Sequence, residues 1–252
     1  MGPILEIRGI TKSFGMLKAL DDVSFEVPER SLAILIGPNG SGKTTLINVI
    51  SGYHKPDAGE VLYSGSRITG LKPHIIYKLG LSRTFQIPSL FTKLTALEHL
   101  LVAEKDNPGE SFLKSLSKRT WIRAERQSIE KASGILEMVG LSNVWDHTAT
   151  SMSGGQMKLL EIARAIMSDA KMILLDEPIS GVNPTLAHEI FSKLVSLRDT
   201  LGVTFLIVEH RLDIALDYID TIQAMAFGKI IASGEPKKVM ADSKVIESYL
   251  GA

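Results

Sequence analysis

The 252-residue sequence has no cysteine. Disulfide frameworks and thiolate metal sites are therefore excluded, and a reducing compartment suits the composition. An excess of one charge is missing too: 28 Lys and Arg balance 28 Asp and Glu, for a formal net charge of +0. A general polyanion binder carries a basic excess, so no nucleic acid partner is expected. No run approaches the roughly 18–20 apolar residues that span a bilayer. The start, "MGPILEIRGITKSFG", lacks the apolar core of a secretory signal, and Glu6 stands where a myristoylation signal wants Ser or Thr. The expectation is a chain soluble by itself that reaches a membrane only through a partner. There is no internal repeat and no low-complexity tract. What is there is ordinary globular material, 44% hydrophobic and 22% charged, long enough for one large domain or two small ones.

The opening third alternates apolar and polar residues in "ILEIRGI" and "VSFEV", as short half-buried strands do. "SLAILIG" is a continuous apolar run ended by glycine, the mark of a strand buried on both faces. A helix is expected from about Lys43 to Ile50, then a hairpin in "GEVLYSGSRI". From about Pro73 to Trp145 the texture reads as helix with loops. "SIEKASGILEMVGL" sets Ile129, Ala132, Ile135, Leu136 and Val139 on one helical face. Ahead of it, "EKDNPGESFLKSLSKRTWIRAER" reads equally well as a solvated loop or as short surface helices. From Met172 strand, helix and strand alternate in "MILLDE", "TLAHEIFSKLVSLRDTL" and "TFLIVEH", which predicts a parallel sheet with covering helices.

Three strand ends carry chemistry. "GPNGSGKT", Gly37 to Thr44, fills the pattern G-x-x-x-x-G-K-[ST] between a buried strand and a helix. Gly37, Gly40 and Gly42 let backbone N–H groups curl around phosphate oxygens, and Pro38, Asn39 and Ser41 complete the loop. Lys43 places a point charge on the β- and γ-phosphates of a bound nucleotide, Thr44 offers a hydroxyl to Mg²⁺, and Thr45 follows on a helix whose positive end faces the anion. "MILLDE" ends on two carboxylates that strand alternation points apart, so they take different tasks. Asp176 suits the magnesium shell, directly or through water, and Glu177 can hold or deprotonate an attacking water. The third strand ends on Glu209-His210, at the edge where open α/β sheets bind ligands, and His210 is a candidate γ-phosphate contact.

The phosphate loop, the acidic strand end and "MSGGQ" (Met152 to Gln156) together resemble the ATP-binding subunit of ABC transporters over nearly the whole chain. "MSGGQ" is similar to the family signature, usually written with leucine first. The resemblance implies that two subunits pack head to tail, the signature helix of one facing the γ-phosphate held by the other. Ser153, the Gly154 and Gly155 amides, Gln156 and the helix dipole then supply donors from a second chain. It further implies that Phe14 in "KSFG" stacks on adenine. Gln86 in "RTFQIP" senses magnesium and the attacking water. Asn183 in "ISGVNP" stands where the family often has an aspartate that crosses the dimer.

The implied fold is α/β: a P-loop NTPase core with a mostly parallel sheet, an antiparallel β subdomain and an inserted α-helical subdomain. One ABC ATPase domain is expected, with 1–86 and 168–235 as catalytic core, 87–167 as helical subdomain and 236–252 as a helical tail. The implied reaction is ATP hydrolysis, driving closure and release of two subunits, identical or different. "GPNGSGKTTLINVISG", "RTFQIP", "NPGESFL", "GQMKLLEIARA" and "EHRLDIALDYID" are similar to subunits of branched-chain amino-acid importers. The implied partners are transmembrane permease subunits and, indirectly, a periplasmic or extracellular solute-binding protein, at the cytoplasmic face of the cell membrane. Ile87, Leu90 and Phe91 are candidate docking residues for the permease. The ATPase of a lipopolysaccharide-export complex is similar in the same regions and stays open as an alternative. A non-transport ABC protein is disfavoured by the neutral charge and single motif set, and a lone P-loop kinase or GTPase has no use for "MSGGQ".

Overall fold

The computed structural model describes residues 2–84, 90–105 and 118–250. Gln86, Ile87 and the "NPGESFL" stretch therefore lie outside the described residues. The chain divides into two compact units, Met1–Arg83 with Lys171–Ala252, and Thr84–Ala170.

In the first unit β1 (Pro3–Phe14), β2 (Leu17–Pro28), β4 (Ala58–Tyr63) and β5 (Ser66–Arg67) form an antiparallel sheet in the order β2-β1-β4-β5. The alternation seen in the sequence sets its inner face: Leu5, Ile7, Leu20, Val23 and Val27 are buried. A second, six-stranded sheet comprises β3 (Leu32–Ile36), β6 (Leu81–Arg83), β7 (Met172–Asp176), β8 (Thr204–Val208), β9 (Thr221–Ala226) and β10 (Lys229–Gly234). Its order is β10-β9-β3-β8-β7-β6, parallel throughout except for β10, which returns antiparallel along β9. Every residue of β3 and β8 is buried, as a parallel strand covered on both faces requires. One face packs with α1 (Lys43–Ile50) and the antiparallel sheet into a common core through Leu46, Ile47, Leu174 and Leu206. On β3 and β8 also lies α6 (Pro184–Leu201), which buries Phe191 and Leu194. Val208 pairs with both Leu35 and Asp176, so β3, β7 and β8 end level with one another. That common edge presents all three candidate motifs together.

β6 lies inside the stretch read from the sequence as helix and loop, and corrects that reading. Three residues are too few for a period of two to show, and only pairing with β7 reveals the strand. Before it runs the short helix α2 (Pro73–Lys78), opened by its proline.

The second unit is helical: α3 (Ala96–Ala103), α4 (Lys118–Val139) and α5 (Gly154–Met167), each packed on the other two. Part of the stretch open between loop and helix, "KRTWIRAER", belongs to α4. Ala132, Ile135, Leu136 and Val139 are buried as their spacing predicts, whereas Ile129 is 38% exposed beside Leu97 and Trp145. Thr95 and Glu98 close a capping box at the start of α3. Among the described residues no helix is long and apolar enough to cross a membrane.

His99 on α3 is 1% exposed and fixed from both sides. Its Nδ1 donates to the Thr95 carbonyl at 2.8 Å, and its Nε2 accepts the Phe91 amide at 2.9 Å. A protonated ring would set an N–H against that amide. Burial lowers the pKa below the ordinary histidine value of 6.5, the Thr95 bond opposing and the charge of Arg164 assisting. Above about 6.5 the ring is neutral folded or unfolded, and its contribution is complete. As pH falls below 6.5 the unfolded chain takes the proton first, and stability is lost. Wild-type protein melted at pH 7.5 and 5.5 should therefore lose more Tm than His99→Gln does; equal losses would refute the assignment.

Candidate functional site

The loop from Gly37 to Gly42 is shaped by how closely its backbone approaches its neighbours. A Cβ on Gly37 would stand 2.2 Å from the Met225 carbonyl oxygen, and one on Gly42 would stand 2.6 Å from that of Ala19. Both positions exclude any side chain. Gly40 faces open space, but its φ of 77° lies in the left-handed region that favours glycine. The loop is tied down by a turn from Ser41 N–H to the Pro38 carbonyl and by Gly228 N–H donating to the Ser41 carbonyl. Asn39 and Gly40 are exposed at its crest.

At the end of the loop α1 starts on Gly42 with no side-chain cap. Other helix starts are capped by side chains, among them α3 through Thr95, α5 through Ser153 and α6 through Asn183. The opening amides of α1 are therefore left to an external acceptor, and with the helix dipole they make an anion site. Lys43 is 6% exposed, its Nζ donating to the carbonyls of Gly37 at 2.7 Å and Pro38 at 2.9 Å. Burial pulls this ammonium below the ordinary lysine range, while the carboxylates of Glu177 and Asp176 pull the other way. Both carboxylates thus lie near enough for their charge to act on the phosphate-loop lysine. Thr44 is exposed on the first turn, and Thr45 is half-buried beside it.

The two carboxylates part as strand alternation predicts. Asp176 meets Arg83 of β6 (Nη2 to Oδ2, 3.2 Å). Glu177 turns away on a left-handed φ of 51°, an uncommon state for a residue with a side chain and one that gathers at functional positions. Its Oε1 lies 3.1 Å from His210 Nε2. The sequence had paired Glu209 with His210 without giving it a task. It is 2% exposed and accepts from the amides of Ile179 (2.9 Å), His210 (3.0 Å) and Arg211 (3.4 Å). Arg211 Nη1 adds a bond to the Val182 carbonyl at 2.9 Å. Glu209 and Arg211 thus lash the segment after Glu177 to the segment carrying His210. Each sits beside a motif residue in sequence, but only their burial and bonding identify the task.

In the helical unit Ser153 N-caps α5. Its Oγ accepts from Gln156 N–H at 3.3 Å, and Gln156 Oε1 accepts from Ser153 N–H at 2.8 Å. The cap uses the hydroxyl oxygen as acceptor and leaves its proton to donate elsewhere. Ser153 and Gly154 are exposed, and Gly155 is buried. Phe14 ends β1 at 45% exposure, edge-on to His54 at 5.4 Å and under the Lys12 ammonium at 5.5 Å. Asn183 spends its side-chain oxygen on Leu186 N–H at 2.9 Å, capping its own helix. Phe91 is 54% exposed, against His99 and Arg164. A cavity of about 530 Å³ lies between Pro38–Ser41, Phe227 and the C-terminal helix α8 (Ser243–Leu250), which follows the short α7 (Pro236–Met240).

A parallel α/β sheet that ends level on a glycine phosphate loop, a carboxylate pair and a histidine defines a P-loop nucleotide-binding protein. The family description "ABC transporter" matches residues 20–180, and the chain belongs to that family. It is similar to the probable branched-chain amino acid transport ATP-binding protein LivG of Methanocaldococcus jannaschii, at 50% identity over 252 residues, 98% of this chain and 97% of the other. The Archaeoglobus fulgidus protein of the same description is 49% identical over 249 residues, 99% of this chain and 96% of its own. Among solved structures, the ADP conformation of an ATP-binding cassette of an ABC transporter matches with a TM-score of 0.87 at 49% identity, covering 100% of both chains. The α/β cassette fold expected from the sequence is the fold found.

The bonding of Glu209 generates a prediction. Removing this carboxylate leaves buried amides unsatisfied, so Glu209→Ala should lose about 2–3 kcal/mol in a urea titration. An unchanged midpoint would show that the lashing is not needed.

Proposed function

We propose that the chain is the ATP-hydrolysing subunit of an ABC importer for branched-chain amino acids. The observation that carries the chemistry is Glu177, held 3.1 Å from His210 on the sheet edge that also bears Lys43. The cargo assignment rests on the relatives, both described as branched-chain amino acid transport proteins and aligned over nearly the full chain. Those descriptions favour an importer over the lipopolysaccharide-export alternative.

Gly37–Thr45 wraps the β- and γ-phosphates of ATP with backbone amides, and Lys43 exchanges a loop carbonyl for a phosphate oxygen. Phe14 offers an exposed ring to adenine. Among the described residues no cluster of three or more His, Cys, Asp or Glu could hold a metal alone. One hydroxyl, from Thr44, and one carboxylate, from Asp176, fit Mg²⁺, which keeps waters and shares phosphate oxygens. When bound there, the ion would supply positive charge against the phosphates. Glu177 orients or deprotonates the water that attacks in line, and His210 fixes its carboxylate and reaches toward the γ-phosphate. Gln86 belongs to the same proposal from its sequence position alone.

Closure needs a second cassette, identical or different. The exposed start of α5 presents Ser153, Gly154, Gly155 and Gln156 to the γ-phosphate on the facing chain. Such a contact exists only in the closed pair, so ATP favours closure and hydrolysis releases it. The helical unit, with Leu90 and Phe91, is the docking element for permease subunits at the cytoplasmic face of the membrane, and a solute-binding protein delivers cargo on the other side.

Glu177→Gln should keep ATP binding while turnover falls about 10²–10⁴-fold, the usual contribution of a general base; turnover equal to wild type would sink the assignment. Lys43→Ala should instead weaken binding itself in a fluorescent-nucleotide titration. Tagged Glu177→Gln protein, recovered with ATP from solubilised native membranes, should bring down a polytopic permease pair. Recovery with soluble proteins alone would end the importer reading.

A further inference from the structure

Arg83 opens the stretch "RTFQIP" without a task of its own, yet its guanidinium is the hub of a buried polar cluster. The side chain is 8% exposed, and that of its partner Asp176 is 14% exposed. Nη2 reaches Asp176 Oδ2 at 3.2 Å, while Nη1 donates to Asn48 Oδ1 at 2.6 Å and Ser51 Oγ at 3.1 Å. The ring of Tyr53 lies 5.7 Å from the guanidinium carbon. Asn48 belongs to α1, and Ser51 and Tyr53 follow directly upon it. One cation on an edge strand therefore binds the acidic end of β7 to the far end of the phosphate-loop helix.

We propose that Arg83 is a positioning residue, the internal counter-cation of Asp176, and that it sets how strongly nucleotide binding depends on divalent metal. The inference rests on the ATP-and-magnesium reading above. A triphosphate brought to Lys43 without a metal also meets the carboxylates of Asp176 and Glu177. Arg83 cancels one of those charges, and its bonds to Asn48 and Ser51 hold it, and with it Asp176, in one place. Without Arg83, metal-free nucleotide faces an uncompensated carboxylate. With Mg²⁺ present, the ion itself supplies the missing positive charge. The loss should therefore fall on metal-free binding. A merely structural role would weaken both forms alike.

The experiment measures the Kd of the non-hydrolysable analogue AMP-PNP, by isothermal calorimetry, in EDTA and in Mg²⁺. In Arg83→Gln the ratio Kd(EDTA)/Kd(Mg²⁺) should rise about tenfold over wild type, equivalent to about 1.4 kcal/mol. Arg83→Lys keeps the charge and should stay within about threefold of the wild-type ratio. A ratio unchanged in Arg83→Gln, or raised equally in Arg83→Lys, overturns the proposal. Should Arg83→Gln not fold, Asp176→Asn and the double variant Arg83→Gln/Asp176→Asn carry the test without a buried carboxylate. Metal-free binding should be about tenfold tighter in the single variant, which retains the cation, and equal affinities overturn the proposal. Wild-type protein that binds no AMP-PNP in Mg²⁺ overturns the nucleotide reading itself, and this inference with it.

Discussion

The rest of the structure depends on the contact between the phosphate loop and the backbone around it. Gly37 lies against the Met225 carbonyl of β9, Gly42 against the Ala19 carbonyl of β2, and a Cβ on Gly228 would stand 2.8 Å from that same Ala19 oxygen. Three glycines thus let β2, β9 and the loop come closer than side chains allow. The hydrogen bonds from Gly228 N–H to the Ser41 carbonyl and from Asp21 N–H to the Gly228 carbonyl close the same junction. From it follow the direction in which α1 leaves, its uncapped amides and the height at which Lys43 stands over the sheet edge.

Around that fixed loop the charges are sorted by backbone geometry. Consecutive residues at the end of β7 face different partners, Asp176 toward a buried arginine and Glu177 toward a histidine. The left-handed conformation at Glu177 is held by Glu177 N–H donating to the Val208 carbonyl and by the buried Glu209 beneath. A residue in that conformation costs on the order of 1–3 kcal/mol, so the surrounding bonds must over-determine it. The carboxylate assigned to water activation is therefore placed by the fold before nucleotide arrives.

Much of this was legible in the sequence. Buried strands show as continuous apolar runs, and "SLAILIG" and "TFLIVEH" could be little else. The glycine pattern of the loop and the Ser153–Gln156 spacing follow from backbone conformations that few residues permit. What stayed hidden depends on partners remote in sequence. β6 is too short to show a period and exists through pairing with β7. Arg83 reads as one basic residue among many until Asp176 and Asn48 meet it. Glu209 has no task in its motif and proves to be a buried acceptor for three amides. Ile129 shares the spacing of a buried face but sits at its edge, because a period fixes direction and not the depth of the packing.

Two helix starts are proposed to flank one phosphate from opposite sides. In the proposed closed pair that of α1 would bind the nucleotide in its own chain, and that of α5, capped by its serine with Ser153 and Gly154 exposed, would complete the site on another. The most direct test is sedimentation velocity of Glu177→Gln protein with and without ATP. A monomer that ATP converts to a dimer is expected, and that dimer should be lost when Ser153 is replaced by tyrosine at the start of α5. A protein that stays monomeric with saturating ATP, or whose dimer ignores the Ser153→Tyr change, would contradict this reading.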